Sequence, residues 1–116
     1  MNQTTSSNIK NTKNKFSNFE SLPPKDKKIE SVKRFKIRSF KQDLIRSFHN
    51  QINGSGHFEY SIDLNLCITE TYDISNDFIN VLNEFSDSLV SKGWTSSGVT
   101  YPWIENNPKY ISLKIN

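Results

Sequence analysis

Phe58-Glu59-Tyr60-Ser61-Ile62-Asp63-Leu64-Asn65-Leu66-Cys67-Ile68-Thr69 alternates apolar and polar side chains for twelve residues. Successive side chains on a strand point to opposite faces, so this stretch reads as one strand. Phe58, Tyr60, Ile62, Leu64, Leu66 and Ile68 are expected to line a core, and Glu59, Ser61, Asp63, Asn65, Cys67 and Thr69 to face water. A sheet with one wet face calls for helices packed on the other face only.

Upstream, Val32 to Phe40 reads as a first strand, with Phe35 and Ile37 on one face and Arg34, Lys36 and Arg38 on the other. The period then changes. Leu44, Ile45, Phe48 and Ile52 follow helical spacing, and Asn53-Gly54-Ser55-Gly56 supplies a stop and a turn. Downstream, Ser75 as N-cap, Asp77 in the first turn and Ile74 stapling onto Ile79 announce a second helix. Its stripe is Phe78, Val81, Leu82, Phe85 and Leu89. Lys92 and Gly93 close it, and Trp94 is placed to fold back on its last turn. Trp94 to Tyr101 and Lys109 to Ile115 read as two more strands around a turn at Pro102 and Glu105 to Pro108, with Ile111, Leu113 and Ile115 facing the core.

The predicted fold is α+β, in the order β-α-β-α-β-β: two helices on one face of a mixed sheet of about four strands, the first two parallel if they are neighbours. Residues 31–116 form this single small domain. Residues 1–30 are rich in Lys, Asn and Ser, show no period and hold only isolated apolar residues such as Ile9, Phe16 and Phe19. They read as a disordered tail, dispensable for folding.

Charge is divided unevenly. Residues 1–46 carry twelve Lys and Arg against four acids, a net +8, whereas the remainder carries three against eight, a net −5. That asymmetry points to an anionic partner for the front of the chain or to pairing between the halves. On a strand, Arg34, Lys36 and Arg38 would project from one face roughly 6.5–7 Å apart, close to the spacing of phosphates. With Lys33, Lys41 and Arg46 they are the candidate RNA contacts. Glu59 and Asp63 on an adjacent strand could instead neutralise this ladder.

Tyr72, Trp94, Tyr101, Trp103 and Tyr110 could stack on bases or serve as packing residues, and Phe35, Phe40 and Phe48 read as core. Trp103 and Ile104, in the last loop, are the candidate anchors for a protein partner. His49, His57 and Cys67 match no zinc spacing, Cys67 has no nucleophile signature, and no phosphate loop precedes a helix. Neither catalytic residues, a metal nor a cofactor is expected. With a single cysteine and no long apolar run, the chain reads as a cytoplasmic protein with no membrane partner.

Lys33-Arg34-Phe35-Lys36-Ile37-Arg38, the alternating strand from Phe58, the Asp77-Phe78-Ile79 helix opening and Gly93 and Gly98 after it together resemble the small YggL-type proteins that bind the large ribosomal subunit. The likeness spans roughly residues 33 to 100. It implies a non-enzymatic, ribosome-associated RNA-binding module with Lys33, Arg34, Lys36 and Arg38 on RNA. The alternative is a small protein-binding adaptor or inhibitor, of the kind carried by mobile elements or phages, working through the open sheet face and the loop aromatics.

Overall fold

The computed structural model describes residues 19–101 and 109–116, so Trp103, Ile104, the turn expected at Pro102 and Glu105 to Pro108, and the first eighteen residues lie outside the described part. The chain divides between Glu30 and Ser31 into two units. In the first, the described residues make a 3-10 turn, Phe19–Ser21, and the opening of helix α1, Lys25–Ser55. The Pro23-Pro24 pair precedes the helix, where a missing N–H costs nothing, and the Pro24 carbonyl accepts the Lys28 N–H at 3.2 Å. Residues Lys25 to Glu30, expected in the tail, are therefore helical.

The expected first strand is absent. Val32 to Phe40 belongs to α1, because Ile37, Phe40, Leu44, Phe48 and Ile52 recur every three or four residues and continue one stripe across the unit. A strand would have buried Phe35 with Ile37. In the helix Phe35 is left 63% exposed, while Phe40 and Leu44 sink into the core. The helix ends at Gly56, whose φ of +82° suits a residue without Cβ, and whose N–H returns to the Ile52 carbonyl at 3.0 Å.

Strand β1, Phe58–Asp63, pairs antiparallel with β2, Tyr110–Ile115, with Phe58 opposite Ile115, Tyr60 opposite Leu113 and Ile62 opposite Ile111. These six side chains face the helices, and Glu59, Ser61 and Lys114 face outward, so one sheet face is open as the alternation implies. The sheet has two strands, not four, and no parallel pair among the described residues. Residues 94–101 run along the far side of β2 without forming a strand. Ser96 bridges Ile115 and Thr100 bridges Ser112, a one-residue slip in register that marks a bulge at Gly98, φ +69°.

The strand signal also overran. After Asp63 the chain turns into a 3-10 segment, Leu64–Cys67, because the Asp63 carboxylate accepts the Asn65 N–H at 2.9 Å. Leu64 is buried as expected, but the turn then inverts the next pair: Leu66 is 77% exposed and Cys67 is buried. Helix α2, Ser75–Val90, carries the predicted stripe, with Val81, Leu82 and Leu89 buried. Its cap differs from expectation. Ser75 lies inside the first turn, and the Asp73 carboxylate one step outside accepts both the Ser75 N–H, at 2.9 Å, and the Ser75 hydroxyl. Those two bonds hold the Asp73 carboxyl below the ordinary aspartate range.

Candidate binding groove

Helices α1 and α2 meet through aromatic rings. Phe40 stacks on Phe78 with centroids 4.1 Å apart, and Phe48 meets Phe85 edge-on at 5.8 Å. Past α2, Gly93 adopts a φ of +97°, its N–H bonding to the Val90 carbonyl, and the Trp94 N–H bonds to Leu89 at 3.1 Å. This left-handed turn folds Trp94 back, as its place after Gly93 suggests, and its ring meets Phe48 at 5.2 Å, nearly perpendicular.

Between the helices these rings leave a groove of about 480 Å³. Its floor is Leu44, Phe48, Val81, Phe85 and Leu89, with Trp94 closing one end. Ile45, 53% exposed, forms part of the α1 wall, beside Lys41 and His49. Across from them stand Glu84, Ser88 and Lys92, whose ammonium donates to the Ser88 hydroxyl at 3.1 Å. The groove is thus apolar below and charged at the rim, with two ammonium groups against one carboxylate.

The helix redistributes the basic residues that a strand would have aligned. At about 100° per residue, Lys36 projects to the opposite side from Arg34 and Arg38. Arg34, Arg38, Lys41, Ile45 and His49 instead make one row at spacings of three and four, leading into the groove. Lys36 sits over the Tyr72 ring, 5.7 Å from its centroid. Arg46 pairs with Asp43 at 3.2 Å on the exposed surface, and Lys33 is partly buried. Glu59 and Asp63 do not face the basic residues across a ladder: Glu59 stands opposite Lys114, and Asp63 opposite Tyr110.

A second, smaller cavity of about 300 Å³ flanks the other side of α1, lined by Phe35, Lys36, Asp43, Tyr60, Ile62, Leu66, Cys67 and Tyr72 among others. Burial, reinforced by Asp43, pushes the Tyr60 phenol above its ordinary range, and burial followed by the Asp73 charge raises the Cys67 thiol. Cys67 is thereby kept protonated, opposite to what a reactive thiolate needs. His57 is exposed in the turn before β1, and among the described residues no three metal-ligating side chains gather. None of the described helices is long and apolar enough to cross a membrane.

The groove escaped the sequence because it needs two helices brought together, but its trace is there. Ile45 beside the Leu44 and Phe48 stripe, with Lys41 and His49 one turn either side, widens the apolar face beyond what a core requires. No protein-family model, no curated protein and no solved structure matches the chain.

Proposed function

We propose that this protein is a protein-binding module that takes an acidic amphipathic helix of a partner into the groove between α1 and α2. The observation that carries the reading is an apolar floor with a half-exposed Ile45 under a rim in which Lys41 and Lys92 outweigh Glu84. A helix laid in such a groove buries apolar residues at i, i+3, i+4 and i+7 and aims its acids at the rim. Arg34 and Arg38, continuing the row from Lys41, extend the attraction and quicken encounter more than they tighten the complex.

The test is a titration with a synthetic acidic amphipathic peptide, followed by tryptophan emission, since Trp94 walls the site. Binding should shift the emission, fall at least tenfold in Ile45→Asp, and weaken in Lys41→Glu/Lys92→Glu and with added salt. A basic peptide that binds as well as the acidic one, or no response to either, overturns the reading. The row Arg34, Arg38 and Lys41 also supports RNA contact as a second reading. That reading predicts retention of the intact protein on single-stranded RNA at low salt, lost in Arg34→Ala/Arg38→Ala/Lys41→Ala and untouched by Ile45→Asp.

A further inference from the structure

Antiparallel pairing makes alternate residues of a strand turn their backbone groups toward and away from a given neighbour. On β2, Ser112 exchanges both bonds with Thr100 at 2.8 Å, and Lys114 accepts from the Ser97 N–H and donates to the Ser97 hydroxyl. These residues therefore point away from β1. Their partners across the ladder, Ser61 and Glu59, must then direct their own N–H and C=O to the outer edge of β1. Gln51 of α1 confirms the phase at Glu59: its carboxamide accepts the Glu59 N–H at 2.9 Å and donates to the Glu59 carbonyl at 3.0 Å. A side-chain amide there makes both bonds that a neighbouring strand would make. One step on, no described residue bonds to the outward groups of Ser61.

We propose that the outer edge of β1 at Ser61 receives an extended segment of a partner protein in which basic residues alternate with apolar ones. A strand added there has successive side chains on opposite faces of the sheet. On the open face it would meet Glu59 and Asp63, two carboxylates flanking Ser61 that outnumber the single Lys114 ammonium opposite Glu59 and so select a basic segment. On the helix side its apolar residues enter the smaller cavity beside Tyr60, Ile62, Phe35 and Leu66. The edge leaves that cavity open: Ile111 and Leu113 on β2 are fully buried, whereas their partners Ile62 and Tyr60 are only half-buried. A second copy of this chain is the wrong occupant. Two β1 strands paired antiparallel about Ser61 would set Glu59 directly against Asp63 twice, like charges face to face.

The probe is a synthetic peptide with the sequence Lys-Val-Thr-Val-Lys at its centre, so that Lys and Thr share one face and Val the other, with a control in which Glu replaces Lys. With the intact protein, the Lys peptide should slow hydrogen exchange of the Ser61 amide at least tenfold, and the Glu peptide should not. Ser61→Pro removes only an outward N–H, which edge strands tolerate, and should cut peptide affinity at least tenfold while preserving the Trp94 response to the acidic helix. Gln51→Ala releases the Glu59 pair and should strengthen Lys-peptide binding several-fold, a gain that misfolding cannot mimic. Unchanged Ser61 exchange at saturating Lys peptide, equal binding of the two peptides, or weakened binding by Gln51→Ala overturns the proposal. So does concentration-dependent Ser61 protection without peptide, which would make a second copy the occupant.

Discussion

Among the described residues, strand β2 has hydrogen-bonding neighbours on both sides and β1 has a strand on one side only, and the two differ throughout in how they are held. Ile111, Leu113 and Ile115 of β2 are wholly shielded, by β1 on one side, by residues 94–101 on the other and by the helices below. Along β1 only Phe58 is equally covered. Tyr60 and Ile62 are half-buried, and a glutamine amide stands in for the missing neighbour at Glu59. The lesson is that this small sheet places its best-shielded side chains on β2 and leaves its open hydrogen-bonding edge on β1, the strand that was easiest to read.

The largest expected effect tests that division directly. Leu113→Ala, which empties a fully enclosed site, should cost about 2–5 kcal/mol in urea denaturation, whereas Ile62→Ala should cost on the order of 1 kcal/mol. Equal costs would erase the distinction between the strands.

Next comes the tether on the far side of β2. The buried Ser86 hydroxyl bonds to Ser96, whose oxygen also accepts the Gly98 N–H at 2.9 Å. Ser96→Ala strands Ser86 and should cost about 1–2 kcal/mol, with faster amide exchange at Thr95 and Thr100. Exchange that stays slow there would show that the β2 bonds alone hold the segment.

Much of this contrast could be read from residues alone. Ile111, Leu113 and Ile115, the α2 stripe, the Gly93-Trp94 turn and the open sheet face follow from period two, period 3.6 and turn chemistry. The second half of α1 does too, through Leu44, Ile45, Phe48 and Ile52, but its first half does not, because Phe35 and Ile37 satisfy a strand locally and only the stripe continuing to Ile52 decides for a helix. Local alternation past Asp63 was equally misleading, since one carboxylate bonding to Asn65 turns the chain so that Leu66 is exposed and Cys67 buried, although Leu64 keeps its expected place in the core. The groove and the Gln51 contact join residues whose proximity no local pattern encodes.

Gln51→Ala should leave global stability within about 0.5 kcal/mol, as exposed hydrogen bonds do, yet accelerate exchange of the Glu59 amide several-fold. An unchanged Glu59 rate would mean the edge is guarded by something other than the carboxamide.

The smallest effects are in pH. Tyr60 and Cys67 hold their protons more tightly folded than unfolded, so unfolding releases protons at alkaline pH, and stability should fall as pH rises past the ordinary values of 9.0 for cysteine and 10.0 for tyrosine. Tyr60→Phe should flatten the limb above pH 10. Asp73 runs the other way: its carboxylate is favoured in the fold, so its contribution is present above 3.8 and lost as pH falls toward its lowered folded value. Asp73→Ala should remove that acid limb, which thermal melts between pH 2 and 5 would register.

Cys67 is the sole thiol of the chain and is 4% exposed, in the 3-10 turn where the alternating pattern breaks. A thiol reagent can therefore reach the native protein only when that turn opens, so the labelling rate becomes a clock for the fluctuation beside the β1 edge. Because there is one site, a single mass increment counts each opened molecule, and occupancy of the neighbouring edge can be followed on the unmutated chain through how far it slows the clock.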